Sequence, residues 1–167
     1  MRLKTAVWMC LTMSRIYGNV AQRASAQATS APEERLKWAA ITHQLETSPL
    51  DEGVNKDGDW ALQRVTDVHD FHVSLCASLF TEFRNLQYTY QHAILRQYLL
   101  ASAAFQIEDS HKARKLNATS LYAVVSVLKT YQAILAQKPE ARSELLDSLL
   151  KEQTDGTLAS AIDKQCK

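Results

Sequence analysis

Glycine and proline are scarce in this chain, with four and three residues among 167. A sheet protein needs a turn every few residues, built largely from Gly, Pro, Asn and Asp. The deficit therefore favours a few long helices. Recognisable chemistry is scarce too. The sequence has no glycine-rich phosphate loop, no G-x-S-x-G nucleophile elbow, no H-E-x-x-H and no C-x-x-C, and these absences lower the expectation of a common hydrolase, nucleotide-binding or redox fold. No acidic residue occurs before Glu33. Cysteine is limited to Cys10, Cys76 and Cys166.

The composition that remains is that of a folded protein. Hydrophobic residues make up 46% and charged residues 22% of the chain, which argues against wholesale disorder. A length of 167 residues suits one domain with a core of ordinary size.

The acid-free N-terminus reads as an address. Arg2 and Lys4 precede an apolar run over residues 5–13, and Ala24-Ser25-Ala26 supplies small residues in an A-x-A arrangement. This is the order of a secretory signal, and the run is too short to span a bilayer. We expect residues 1–26 to be a cleaved export signal, 27–31 a flexible leader and 32–167 a single α-helical domain. Arg15 and Arg23 lie between the run and the cut; an Arg-bearing, acid-free start also suits a transit peptide. The expected location is periplasmic or extracellular, with the mitochondrial matrix as the alternative. A lipoprotein signal is excluded, because Val7-Trp8-Met9 before Cys10 lacks the small residues that its processing needs.

Cleavage would remove four basic residues and change the net charge from +1 to −3. A mildly acidic mature chain gives no electrostatic reason to expect nucleic acid as a partner. Cys76 and Cys166 would remain, and in an oxidising compartment they predict one disulfide tying the C-terminal tail to a central helix.

Helical spacing runs through most of the domain. Pro32, Glu33 and Glu34 suit a first turn, and Leu36, Ala39, Ala40, His43 and Leu45 recur behind them, placing His43 as a core histidine. Residues 47–59 hold Pro49, Gly53 and Gly58 and read as the main loop. Asn55-Lys56-Asp57-Gly58-Asp59 resembles part of a calcium-binding loop, but with Gly58 in sixth place the first and twelfth ligands become Gly53 and Arg64. The plainer reading is a polar turn whose Asp59 caps the next helix.

Residues 60–83 carry Trp60, three of the four phenylalanines and two of the five histidines. Their apolar positions follow helical spacing, although Phe71, Val73 and Leu75 alternate with His72, Ser74 and Cys76 as a strand would. Read as a helix with a break near Asp70, the stretch puts His69, His72 and Cys76 on one face beside Asp67 and Asp70. Imidazole and thiolate are good zinc or copper ligands. A disulfide would consume the thiolate, leaving His69, His72 and Asp70 as the candidate metal or small-ligand residues.

Further helices are expected over residues 91–107 and 117–137, the second capped by Asn117. Two more follow Pro139 and Thr157. His111, Lys112, Arg114 and Lys115 form a basic cluster in the intervening turn. Asn117-Ala118-Thr119 is a glycosylation sequon.

The sequence thus predicts an all-α, compact bundle of five or six helices with short connections and a Cys76–Cys166 bridge. The expected function is a non-catalytic binding or adaptor module with a protein partner. It would have no cofactor and no stable membrane span once the signal is removed. The alternative is a metal- or small-ligand-binding protein using His69 and His72, and a weaker one is an enzyme assembled around the central histidines.

Overall fold

The computed structural model describes residues 29–166, so the proposed signal lies outside the described residues. Among the described residues seven α-helices follow one another: α1 (Pro32–Thr47), α2 (Glu52–Asp67), α3 (Ala77–Asn85), α4 (Gln91–Glu108), α5 (Leu116–Gln137), α6 (Glu144–Thr154) and α7 (Leu158–Gln165). A single 3-10 turn (Lys112–Arg114) sits between α4 and α5. No strand forms among the described residues. The count is seven rather than five or six because residues 60–83 do not make one helix.

α4 is the centre. It is apolar around most of its circumference, as a helix buried on two sides must be, and it feeds two cores. Ile94, Tyr98 and Ala101 join Phe83, Leu128, Tyr131, Leu146 and Ile162 in a core shared by α3 to α7. Leu100 and Ala103, on another face, join Trp38, Ile41, Leu45 and Ala61 in a core shared with α1 and α2. Tyr131 is fully buried, and its hydroxyl donates to Asp147 Oδ1 at 2.8 Å while accepting the Ser143 N–H at 2.9 Å. That arrangement holds the start of α6 against α5.

α2 begins earlier than its composition suggests. Asp51, not Asp59, is the cap: its carboxylate accepts the Val54 N–H at 2.9 Å. Residues 55–59 are therefore helix interior, and the calcium-like row of oxygens receives a guanidinium instead. Arg96 of α4, 2% exposed, donates to Asp59 Oδ1 at 2.7 Å, to the Asn55 main-chain oxygen at 3.1 Å and to Asn55 Oδ1 at 2.5 Å. Gly58 makes this approach possible. A Cβ there would lie 2.9 Å from Leu45 Cδ1 and 3.1 Å from the Arg96 guanidinium.

Gly to Ala inside a helix ordinarily stabilises by roughly 0.5–1 kcal/mol. At Gly58 we expect the sign to reverse, with Gly58→Ala destabilising by about 1–2 kcal/mol as Arg96 is displaced from its partners. Chemical denaturation of the two proteins measures this directly, and a more stable alanine variant would contradict it.

α2 stops at Asp67, and residues 68–76 form neither helix nor strand before α3 starts at Ala77. The backbone is extended at both ends of this segment, at Val68 and at Cys76. Cys76 is bonded to Cys166, with their Cα atoms 5.3 Å apart. The bridge thus ties the C-terminus to the start of α3 and not to the middle of a long helix. The Ser78 hydroxyl reinforces it, donating to the Gln165 oxygen at 3.0 Å.

Asn117 does not cap α5, which starts one residue earlier; its amide donates to Asp163 Oδ1 of α7 at 2.5 Å. No helix among the described residues is long and apolar enough to cross a membrane.

Candidate functional site

Segment 68–76 is held at both ends and open in the middle. At one end Asp70 accepts the Ser30 N–H at 3.0 Å and the Arg35 guanidinium at 2.9 Å. Burial raises the Asp70 pKa, but the Ser30 N–H and Arg35 lower it by more, so its carboxyl ionises below the ordinary aspartate range. The same contacts hold Ser30, at the end of the expected leader, in a buried position. At the other end the segment is covalently fixed through Cys76.

Between these ties the side chains alternate. Phe71 is buried and packs edge-on against Trp38 at 5.8 Å between ring centres, and Val73 and Leu75 are half-buried. His72 and Ser74 are exposed. A two-residue period of this kind belongs to extended chain. The apolar residues of the segment do dock inward, but as alternate side chains of a non-helical run rather than as a helical stripe. The main chain of residues 71–75 makes no hydrogen bond with any described residue.

Two concavities lie along the outer side. One, about 440 Å³, is lined by Pro32, Leu36, Phe71 and Ile107 beside the Arg35–Asp70 pair. The other, about 340 Å³, is lined by His72, Ser74 and Arg114. Gln106 and Ser110 line both, so the two adjoin; we call the pair the groove, with Leu36, Phe71 and Ile107 on one side and His72, Ser74 and Arg114 on the other. Leu36 is 64% exposed at the edge of the 440 Å³ concavity.

The residues named from the sequence are distributed along this groove rather than gathered on a metal. His69, His72 and Cys76 share a face only on a helix. His69 lies at a bend after α2 and His72 in the non-helical run beyond it, so helical spacing does not bring the two rings together, and the Cys76 sulfur is in the disulfide. Asp70 is engaged with Arg35 and Ser30, and Asp67 ends α2 in solvent. Among the described residues no group of three or more His, Cys, Asp or Glu side chains is placed to hold a metal ion. The groove wall of Gln106, Ser110 and Arg114 lies outside the central stretch. Of these only Arg114 carried a signal in the sequence, as part of the basic cluster.

A second polar cluster joins α1, α4 and α5. His43 is not a core histidine: its side chain is 45% exposed, with Nε2 2.7 Å from Glu108 Oε1 and Nδ1 3.5 Å from Glu46 Oε2. Helical spacing placed it correctly near the buried face but on the rim, where two carboxylates meet it. The Ser126 hydroxyl donates to Glu46 Oε1 at 2.6 Å and accepts from the Gln97 amide at 2.7 Å. Lys129 reaches Glu46 Oε2 at 2.9 Å, and the Tyr122 hydroxyl donates to Glu108 at 2.8 Å. Serine, histidine and glutamate thus coincide without making a nucleophile. Ser126 is 2% exposed, and its proton is directed at Glu46, not at His43.

Partial burial lowers the His43 pKa, but the bond to Glu108 and the charges of Glu108 and Glu46 outweigh it, and the net shift is upward. A group with a raised folded pKa stabilises the fold fully below its unfolded value and loses that contribution as pH rises through the folded one. The stability gap between the native chain and His43→Gln should therefore be fully present below the ordinary histidine value of about 6.5 and shrink as pH rises through the raised folded one. Because water screens the exposed ring, the gap at low pH should stay under about 1 kcal/mol. Thermal melts at pH 5.5 and pH 9 test this; a gap that grew with pH would refute it.

Searched against protein-family models, curated proteins and solved structures, the chain matches none.

Proposed function

We propose that this protein is an exported, non-catalytic binding module whose recognition surface is the groove along residues 68–76. The observation that carries the reading is the clamped segment itself. Its ends are fixed by Asp70 and by the disulfide, while its middle leaves main-chain groups and exposed side chains beside two adjoining concavities. Rigid ends and an open centre suit recognition, since little ordering entropy is lost on binding. Export is supported by the basic, then apolar, then small-residue order of the N-terminus, and by a disulfide of the kind that persists in oxidising compartments.

A photoreactive side chain placed at Ser74, on the groove, should give a defined covalent adduct in the protein's own host. The same group at Lys151 on α6 should not. Ser110→Trp, which fills the wall shared by the two concavities, should abolish the Ser74 adduct without lowering the melting temperature. Adducts that ignore the groove-filling variant would remove the groove from the function. A second reading, a small anionic ligand held at His72 and Arg114, is favoured by the polar lining of the 340 Å³ concavity.

A further inference from the structure

We propose that the groove receives an extended acidic peptide. The peptide would pair its main chain with residues 71–75, place an apolar side chain against Leu36, Phe71 and Ile107, and direct a carboxylate at Arg114. This rests on the groove being the recognition surface and specifies its partner.

Three observations converge. The first is the row of main-chain donors and acceptors over residues 71–75, which have no partner among the described residues. An extended chain with free N–H and C=O groups is what a sheet edge presents, and added strands dock on it by main-chain bonds. Phe71 is anchored in the core and the segment is fixed at both ends, so its register cannot slip.

The second is charge. The carboxylates on the groove's own elements are already taken, Asp70 by Arg35, Asp109 by Lys112 and Glu108 by His43. Arg114 has no ion-pair partner among the described residues, and it lines the polar end of the groove with His72. Lys115, directly after the 3-10 turn, adds to the same sign. The local balance is positive on a chain expected to be acidic once mature, and it favours an anionic group at that end.

The third is the apolar concavity next to it. Leu36 is exposed there beside Pro32 and Ile107, with buried Phe71 forming the floor. A phosphate or small dicarboxylate would engage Arg114 but leave both this concavity and the main-chain row unused. A peptide uses all three. In an extended peptide, residues i and i+2 face the same side about 6.8 Å apart, so an apolar residue and an acidic one at that spacing can enter the two halves of the groove together.

The test is selection of random displayed dodecapeptides on the disulfide-intact chain, with subtraction on Ser110→Trp. We expect the enriched sequences to share an apolar residue and an Asp or Glu two positions apart. By fluorescence anisotropy, a selected peptide should lose at least about tenfold in affinity, roughly 1.4 kcal/mol, against Arg114→Glu or Leu36→Asp. Replacing its acid by the amide should do the same, and N-methylation between the two anchors should abolish binding. Lys151→Glu should bind normally. Both groove residues are exposed, and melting curves verify that their variants fold.

Peptides that bind the native chain and Arg114→Glu equally would overturn the acidic-peptide proposal and leave the groove as a binding surface. Saturable binding of inorganic phosphate or succinate, with no peptide enriched, would overturn it in favour of a small anion. No enrichment together with no adduct at Ser74 would remove both readings.

Discussion

Replacing both bridge cysteines, as Cys76→Ala with Cys166→Ala, is expected to destabilise the protein by about 4–5 kcal/mol, the loop-closure value for a separation of 90 residues. For a domain of this size that corresponds to a fall of roughly 10–15 °C in melting temperature. The magnitude follows from what else holds the C-terminus. α7 has only eight residues, too few to persist as a helix alone, and it anchors through Leu158 and Ile162. Outside that apolar contact, the Ser78–Gln165, Gln165–Glu82 and Asn117–Asp163 hydrogen bonds are its links to neighbouring elements. Hydrogen exchange should locate the loss, with protection falling first in α7 and at the start of α3. A melting temperature unchanged on reduction would show that the bridge contributes nothing beyond the packing around it.

Arg96→Ala should cost about 2–5 kcal/mol, the range for removing a large buried side chain. The residue is 2% exposed and fills the space between α2 and α4 that Gly58 leaves open. Its three hydrogen bonds to Asn55 and Asp59 are lost with it. The effect should be asymmetric across the ion pair. Asp59→Asn keeps the arginine's packing and its bonds to Asn55 but leaves the buried guanidinium without its counter-charge. Because Asp59 itself is 58% exposed and water reaches that side of the pair, this variant should cost less than Arg96→Ala, about 1–2 kcal/mol. Urea denaturation of the two variants compares them. Equal losses would mean that the pair, and not the packing of the arginine, carries the stability.

The helices legible in the sequence are those whose packing agrees with their local signals. Pro32, Glu33 and Glu34 open α1, and the apolar spacing of residues 121–135 sits inside α5, as expected. The disulfide was legible because two cysteines in a chain expected from its N-terminal residues to be exported have few other uses. The errors occur where tertiary contact overrides propensity. Gly53 and Gly58 mark a loop by composition, yet α2 runs through both because Arg96 and Leu45 need the space at Gly58. At residues 68–76 both periods were present in the same letters. The helical one lost because Phe71 reaches the α1–α2–α4 core while Asp70 and Cys76 are held elsewhere. Half of the groove was visible in His72 and in the basic cluster around Arg114. The other half, Gln106 and Ser110, carries no signature and is assembled only when the end of α4 comes beside the segment.

The bridge also turns residues 76–166 into a closed covalent ring that holds α3 to α7 and leaves α1 and α2 outside it. Pulled by its ends, the oxidised protein would transmit tension across the sulfur atoms and lengthen only through its N-terminal part, keeping roughly 300 Å of contour out of reach. The packing of Trp38 and Leu45 against Leu100 and Ala103 would be the first to part. A protease that cuts once within the ring would release no fragment until the sulfur bond is reduced.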